Sequence, residues 1–227
     1  MGHEREWACT GWDNSECVGT PFCPPRCPRF RDRDSVQGIV RPHKAADTAE
    51  LVEMYLDLDP ADRTMGLPPA TESRLRTWLD RFIDDGWSLV AETESSIVGH
   101  TGVTPEDASE PHLVVFVAND ARGRGIGSEL LRHLIAHAAD SGHDALTLTV
   151  AADNDAAVTV YDNLGFDVVE QMRGEFEMRL SLAEPVAERV QRPPAERGMT
   201  IPGSHAVFGR QLFDVVERFS GERPPTF

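Results

Sequence analysis

Positions 75, 78, 79, 82 and 83 are Leu, Trp, Leu, Phe and Ile, and apolar residues three and four apart predict an amphipathic helix with one face toward a core. Thr71 stands before this helix as a cap and Gly86 follows it. An earlier helix is predicted over 47–58, with Leu51, Tyr55 and Leu58 on one face. Residues 87–92 and 97–103 read as strands around the polar turn 93–96, which makes them a hairpin. Further strands are expected over 37–41, 113–117, 146–150, 167–170 and 175–180. A helix opening at Ile126 turns Leu130, Leu131, Leu134 and Ile135 inward. Another sets Ala157, Val160, Tyr161 and Leu164 at helical spacing and ends where Gly165 can close it. A last helix is expected over 205–219, its apolar face carrying Val207, Phe208, Leu212, Val215, Val216 and Phe219. This mixed succession predicts an α/β fold of the α+β kind around one mixed sheet.

Three stretches follow from the same pattern: a cysteine-rich segment over 1–34, one well-buried domain over 35–182, and an extension with a helix over 183–227. With 227 residues the chain has room for one such domain and its appendages. The first stretch has too few apolar residues for a core of its own and needs a staple. It also holds all four cysteines, Cys9, Cys17, Cys23 and Cys27. Crowded thiols in a reducing compartment more often hold a metal than form disulfides, and four thiolates suit tetrahedral Zn²⁺. The spacing C-x7-C-x5-C-x3-C contains no C-x-x-C pair, so disulfides or free thiols stay open as alternatives. The apolar face of the last helix must be covered, by docking on the domain, by a homodimer contact or as a wall of the substrate site.

Residues 117–127, VANDARGRGIG, run from an apolar strand through a turn into a helix start. Gly123, Gly125 and Gly127 let the backbone bend and approach a ligand closely. The first amides of the helix, Ile126 among them, have no internal partner, and the helix dipole adds partial positive charge there. Arg122 and Arg124 bring forked donors that match phosphate oxygens. A diphosphate is the ligand this composition suits. The dinucleotide fingerprint does not fit, because Ser128 stands where its last glycine belongs, and the Gly-Lys-Ser/Thr of a P-loop is missing.

Arg122, Gly125 and Gly127 do fit Arg-x-x-Gly-x-Gly after a strand, and Asn154, Ala157, Tyr161, Gly165 and Phe166 follow as N-x-x-A-x-x-x-Y-x-x-x-G-F. In both segments the chain resembles the GCN5-related N-acetyltransferases (GNAT family). The resemblance implies that family's acyl-CoA N-acyltransferase fold, and acetyl-CoA as cosubstrate. It implies that amides around Arg122, Gly123, Arg124, Gly125, Ile126 and Gly127 hold the pyrophosphate. It also implies that main-chain groups of Val115, Phe116 and Val117 pair with the pantetheine arm, one amide serving as oxyanion donor, while Asn154 anchors the cosubstrate. Tyr161 would be the general acid for the departing thiolate. Many relatives carry a glutamate before the glycine turn; here Glu110 and His112 flank Pro111, and each is a candidate base or a plain loop residue.

An N-acetyltransferase acting on a primary amine, on a protein or a small molecule, is therefore expected. A non-catalytic acyl-CoA-binding regulator is the alternative. The family's acceptor usually meets the region after the first strand, here Asp59, Asp62, Arg63, Met65, Leu67, Pro68 and Pro69. The net charge of −16 argues against nucleic-acid binding. The start MGHEREW has no apolar leader pattern, and the longest apolar run, 113–118, is too short to span a bilayer, so a cytoplasmic protein without membrane partners is expected. Of the 22 basic residues only Lys44 is lysine. Such an acidic, lysine-poor composition resembles that of salt-adapted proteins. The thermal midpoint should rise as KCl is raised into the molar range; a flat profile would refute salt adaptation.

Overall fold

Alternating apolar positions on the central strands allow helices to pack on both faces of one sheet. The computed structural model describes residues 12–59, 68–94 and 96–197. In chain order the elements are β1 (Arg29–Arg31), β2 (Gln37–Pro42), α1 (Thr48–Leu56), α2 (Glu72–Asp84), β3 (Trp87–Thr93), β4 (Ile97–Thr104), β5 (His112–Val117), α3 (Ile126–Asp140), β6 (Ala145–Ala151), α4 (Asp155–Leu164), β7 (Asp167–Met172), β8 (Glu175–Ser181) and α5 (Pro185–Gln191). Among the described residues the strands form one mixed sheet in the order β1-β2-β3-β4-β5-β6-β8-β7.

Along β5 the period of two is plain: Val114 and Phe116 pack with α1 and α2, while Leu113, Val115 and Val117 belong to the clusters that contain α3. The predicted hairpin is β3 and β4, with Trp87 opposite Val103. The α2 face is buried at Leu75, Trp78, Leu79 and Phe82, but Ile83 is 48% exposed and lies off the core that the sequence pattern had assigned to it. Tyr55 is fully buried on α1, and its hydroxyl meets Nδ1 of the fully buried His100 on β4 at 2.6 Å. Burial pushes His100 down to about 3, so its ring is neutral at physiological pH and the pair is a neutral hydrogen bond inside the core. The rings of Phe116 and Tyr55 meet edge to face at 5.2 Å, which links β5 to this buried pair.

The first and last stretches differ from expectation. The charged run 29–34 that ends the expected cysteine-rich segment contains β1: Phe30 pairs with Gly38 and is 8% exposed, so a boundary at residue 34 falls within the sheet's edge rather than beside it. A single apolar residue between two arginines is too short a pattern to announce a strand. At the other end α5 places Ala187 and Val190 in the main core. The helix expected over 205–219 lies outside the described residues.

The N-terminal segment has its staple, and among the described residues it is an ion pair. Arg26 is 5% exposed. Its Nε lies 2.9 Å from Glu129 Oε1, its Nη2 3.2 Å from Oε2, and its Nη1 donates to the Val190 carbonyl at 2.7 Å. The segment is thereby tied to the first turn of α3 and to α5. No three His, Cys, Asp or Glu side chains among the described residues are grouped to hold a metal. Instead Cys27 Sγ accepts from Asn14 Nδ2 at 3.3 Å and Cys23 Sγ from the Thr20 amide at 3.3 Å, while Cys17 is a free thiol and Cys9 lies outside the described residues. Among the described residues the zinc expectation therefore finds no supporting donor set.

Breaking a buried pair strands a desolvated charge, so Arg26→Ala should cost about 3–5 kcal/mol. Chemical denaturation would read this as a lower midpoint at unchanged slope; a loss under about 1 kcal/mol would mean the pair does not fasten the segment.

Candidate functional site

β5 and β6 run parallel, and their only Cα register pair is His112 with Thr147. The Thr147 amide donates to the Pro111 carbonyl at 3.1 Å, just before the strands part. On its other side β5 is fully laddered to β4, from Thr104–His112 to Gly99–Val117. Beyond His112 its inner edge therefore faces a cavity of about 530 Å³ rather than a neighbouring strand. Val115, Phe116, Val117, Leu148 and Val150 line this wedge from the two strands. Unpaired strand edges seek a partner, and a buried one needs a ligand that can supply it.

The glycine turn closes the C-terminal end of the wedge. Gly123 and Gly125 have φ of +71° and +89°, a left-handed backbone that glycine adopts without a Cβ clash. This double reversal swings the chain from β5 into α3, whose first described intrahelical bond runs from the Glu129 amide to the Gly125 carbonyl at 3.1 Å. The preceding amides, of Ile126, Gly127 and Ser128, then belong to the orphan first turn, with the positive end of the helix dipole behind them. Gly123, Gly125, Ile126, Gly127 and Ser128 all line the cavity. Arg122 lines it too, and its Nε donates to the Val117 carbonyl at 3.4 Å.

Arg124 is placed differently from the sequence expectation. Its Nε donates to Asp32 Oδ2 at 2.7 Å and lies 3.4 Å from Asp34 Oδ2, and it does not line the cavity. Local acids thus neutralise it. Arg33, between those acids, lines the cavity instead. Sequence reasoning missed Arg33, because nothing local signals that the run 29–34 folds against a turn ninety residues later.

Across the wedge, α4 presents Asn154, Ala157, Val160 and Tyr161. Asn154 caps the helix, its Oδ1 accepting from the Ala157 amide at 3.1 Å, so its side-chain oxygen has a structural task at the cavity rim. Gly165, at φ +95°, ends α4 as the pattern predicts. Tyr161 is 8% exposed, its ring centroid 5.7 Å from that of Phe166. Burial raises its phenol to about 12, so the hydroxyl keeps its proton across the physiological range.

Of the two candidate bases, the structure brings only His112 into the cavity. It sits at the vertex where the strands part, with Nδ1 3.5 Å from Thr147 Oγ1. Burial lowers its pKa, against the opposing pull of Glu177, so the ring is neutral at neutral pH and can accept a proton. Glu110 is exposed and forms a two-pronged pair with Arg179, both contacts at 2.8 Å, whose hydrogen bond lowers its carboxyl pKa.

A family model described as the acetyltransferase (GNAT) family matches residues 49–166, just over half of the chain. The chain belongs to this family. It is 38% identical over 94 residues to the 5-NmdU N-acetyltransferase of Pseudomonas phage PaMx11, a match covering 40% of this chain and 64% of that protein. It is also 38% identical over 93 residues to the mycothiol acetyltransferase of Paenarthrobacter aurescens, covering 38% and 29%. The chain thus spans less than two thirds of the length of these curated relatives. Among solved structures, the GNAT domain of S. lividans PAT superposes with a TM-score of 0.60 at 19% identity, covering 67% of this chain and 95% of that one. The yncA protein of Salmonella typhimurium, solved with its cofactor acetyl-CoA, gives 0.54 at 22% identity, covering 64% and 94%. At these identities the likeness is one of fold.

The GNAT segment matched by the model includes the parted strands, the glycine turn and Tyr161, but not Arg33 or Arg26. Of the acceptor-side residues expected from sequence, Asp62, Arg63, Met65 and Leu67 lie outside the described residues. For His112, the sign of its shift predicts an imidazole titration midpoint below the ordinary 6.5, measured by NMR. A midpoint at or above 6.5 would mean the ring is more solvated or more strongly paired with Glu177 than its burial implies.

Proposed function

We propose that this GNAT protein transfers an acetyl group from acetyl-CoA to a primary amine, the acceptor being a protein lysine, a protein N-terminus or a small amine. The observation that carries the reading is the open inner edge of β5, facing Tyr161 across a cavity whose far end is a helix N-terminus wrapped in glycines. That cavity has the chemistry of an elongated ligand with an amide-bearing arm and a phosphate-bearing end. The amides of Val115 and Val117 suit the arm, and those of the glycine turn suit the diphosphate. The carbonyl oxygen of the thioester would take a hydrogen bond from a β5 amide as it gains charge.

The amine must be neutral to attack, and a free lysine amine with a pKa of about 10.4 is mostly protonated at neutral pH. His112 is the proposed base, acting directly or through water, and Tyr161 the proposed acid for the leaving sulfur. In the attack the amine nitrogen bonds to the acyl carbon, the carbon–sulfur bond breaks, the sulfur takes a proton from the phenol, and the proton the nitrogen sheds passes to water, from which the phenolate is reprotonated. A His112 ring in the cavity with its pKa lowered by burial supports catalysis over a non-catalytic acyl-CoA-binding regulator.

Thiol release from acetyl-CoA, followed over a panel of amines, peptides and lysates, tests the proposal. Tyr161→Phe and His112→Ala should each lower kcat about 10²-fold or more, while Glu110→Gln should change it less than threefold. Tight coenzyme A binding with no turnover on any amine would overturn the catalytic reading in favour of the regulator.

A further inference from the structure

We infer that Arg33, on the arm between β1 and β2, is a phosphate-binding residue of this site, added to the GNAT core from outside the segment that the family model matches. The inference rests on the reading of the cavity as an acyl-CoA site. Arg33 Nη1 donates to the Gly123 carbonyl at 3.0 Å, and its backbone amide donates to the Arg124 carbonyl at 3.0 Å. Its Nε stands 3.8 Å from where a side chain on Gly125 would begin. The guanidinium is thus laid over the turn whose amides face the cavity, and it is itself part of the cavity wall. A guanidinium carries five N–H donors, and the Gly123 carbonyl engages one nitrogen.

The arm that carries it is held in shape by other groups. Asp32 accepts from the amides of Asp34 and Val36 at 2.9 and 2.8 Å, which folds the arm into a tight turn with Ser35 at φ +65°. The same carboxylate takes Arg124 Nε. Charge is exchanged in this arrangement: Arg124 of the glycine turn is neutralised by Asp32 and Asp34, and Arg33 supplies a cation at the cavity beside Arg122. In a chain of net charge −16, a polyanion needs such local positive charge to approach. The ligand chemistry is a phosphate ester, which coenzyme A offers both as its diphosphate and as its ribose phosphate. Arg33 is matched to that end of the molecule and has no role at the thioester.

Calorimetric titration of the full-length protein with coenzyme A and with dephospho-coenzyme A tests this, comparing wild type, Arg33→Ala and Arg33→Lys. Arg33→Ala should weaken coenzyme A binding about tenfold and make its salt dependence shallower, because an exposed ionic contact is screened by salt. Arg33→Lys should restore part of the affinity. The same tenfold loss with dephospho-coenzyme A assigns the contact to the diphosphate; a loss seen only with coenzyme A assigns it to the ribose phosphate. Unchanged affinity, or a loss with an unaltered salt slope, overturns the inference, the latter by marking Arg33 as a mere prop for the turn. The thermal midpoint of each variant should stay at the wild-type value, since the side chain is exposed. Failure of the wild type to bind either ligand would overturn the acyl-CoA reading itself, a result distinct from failure of the Arg33 variant alone.

Discussion

Everything at this site depends on one break in a sheet. β5 and β6 pair at His112 and Thr147 and then separate, although parallel strands normally gain by pairing along their length. The lost ladder bonds leave a strand edge that must find hydrogen bonds elsewhere. What keeps the gap open is packing on either side. Leu113 and Leu148 stay in the core cluster with α3, while the aromatic ring of Phe116 is held against Tyr55 and Trp78. β5 is therefore fixed by β4 and by both helical layers, and cannot swing across to meet β6.

That constraint also explains why the two helices bordering the gap need special ends. α3 starts where the chain leaves β5, and it reaches its position only through left-handed Gly123 and Gly125. α4 starts where the chain leaves β6, and Asn154 caps it. Anchoring at the first turn of α3 comes from the N-terminal segment, through the buried pair Arg26–Glu129 and the Asp32–Arg124 contact. The appended residues thus do two jobs at one helix end: Arg26 binds the segment to the domain, and Asp32 orders the arm beside the glycine turn.

The sequence made the central elements legible because their patterns are local. The α2 stripe, the 93–96 turn and the two GNAT segments each declare themselves within twenty residues, and the structure places their elements within a residue or two of the predicted bounds. Ile83 shows the limit of the periodic argument, since a fifth apolar residue widens the stripe past the face that can be buried. Contacts between distant residues were not legible. Arg26 meets Glu129 across a separation of 103, and Arg124 meets Asp32 across 92. Composition counts charges, but only the fold says which arginine is cancelled and which faces the cavity. For the same reason the cysteine cluster suggested a metal: four thiols near in sequence look gathered, whereas among those described Cys27 engages Asn14, Cys23 engages Thr20, and no two are bonded to each other.

Burial sets the proton chemistry of the proposed reaction in two opposite directions. It lowers His112 and raises Tyr161 to about 12, so both groups are neutral at neutral pH, one ready to accept and the other to donate. Set against a thiol's value in water, near 8.5, the buried phenol at about 12 is too weak a donor: the transfer is uphill by about 5 kcal/mol, at 1.36 kcal/mol per unit. The comparison changes inside the cavity, because the thiolate would form in the same poorly solvated space that raises the phenol. Desolvation lifts both acids, and the difference between them shrinks. A cavity open to water would relieve Tyr161 and stabilise the bare thiolate together, removing any need for an acid. The burial of Tyr161 makes the phenol weaker in isolation and more necessary to a sulfur leaving beside it.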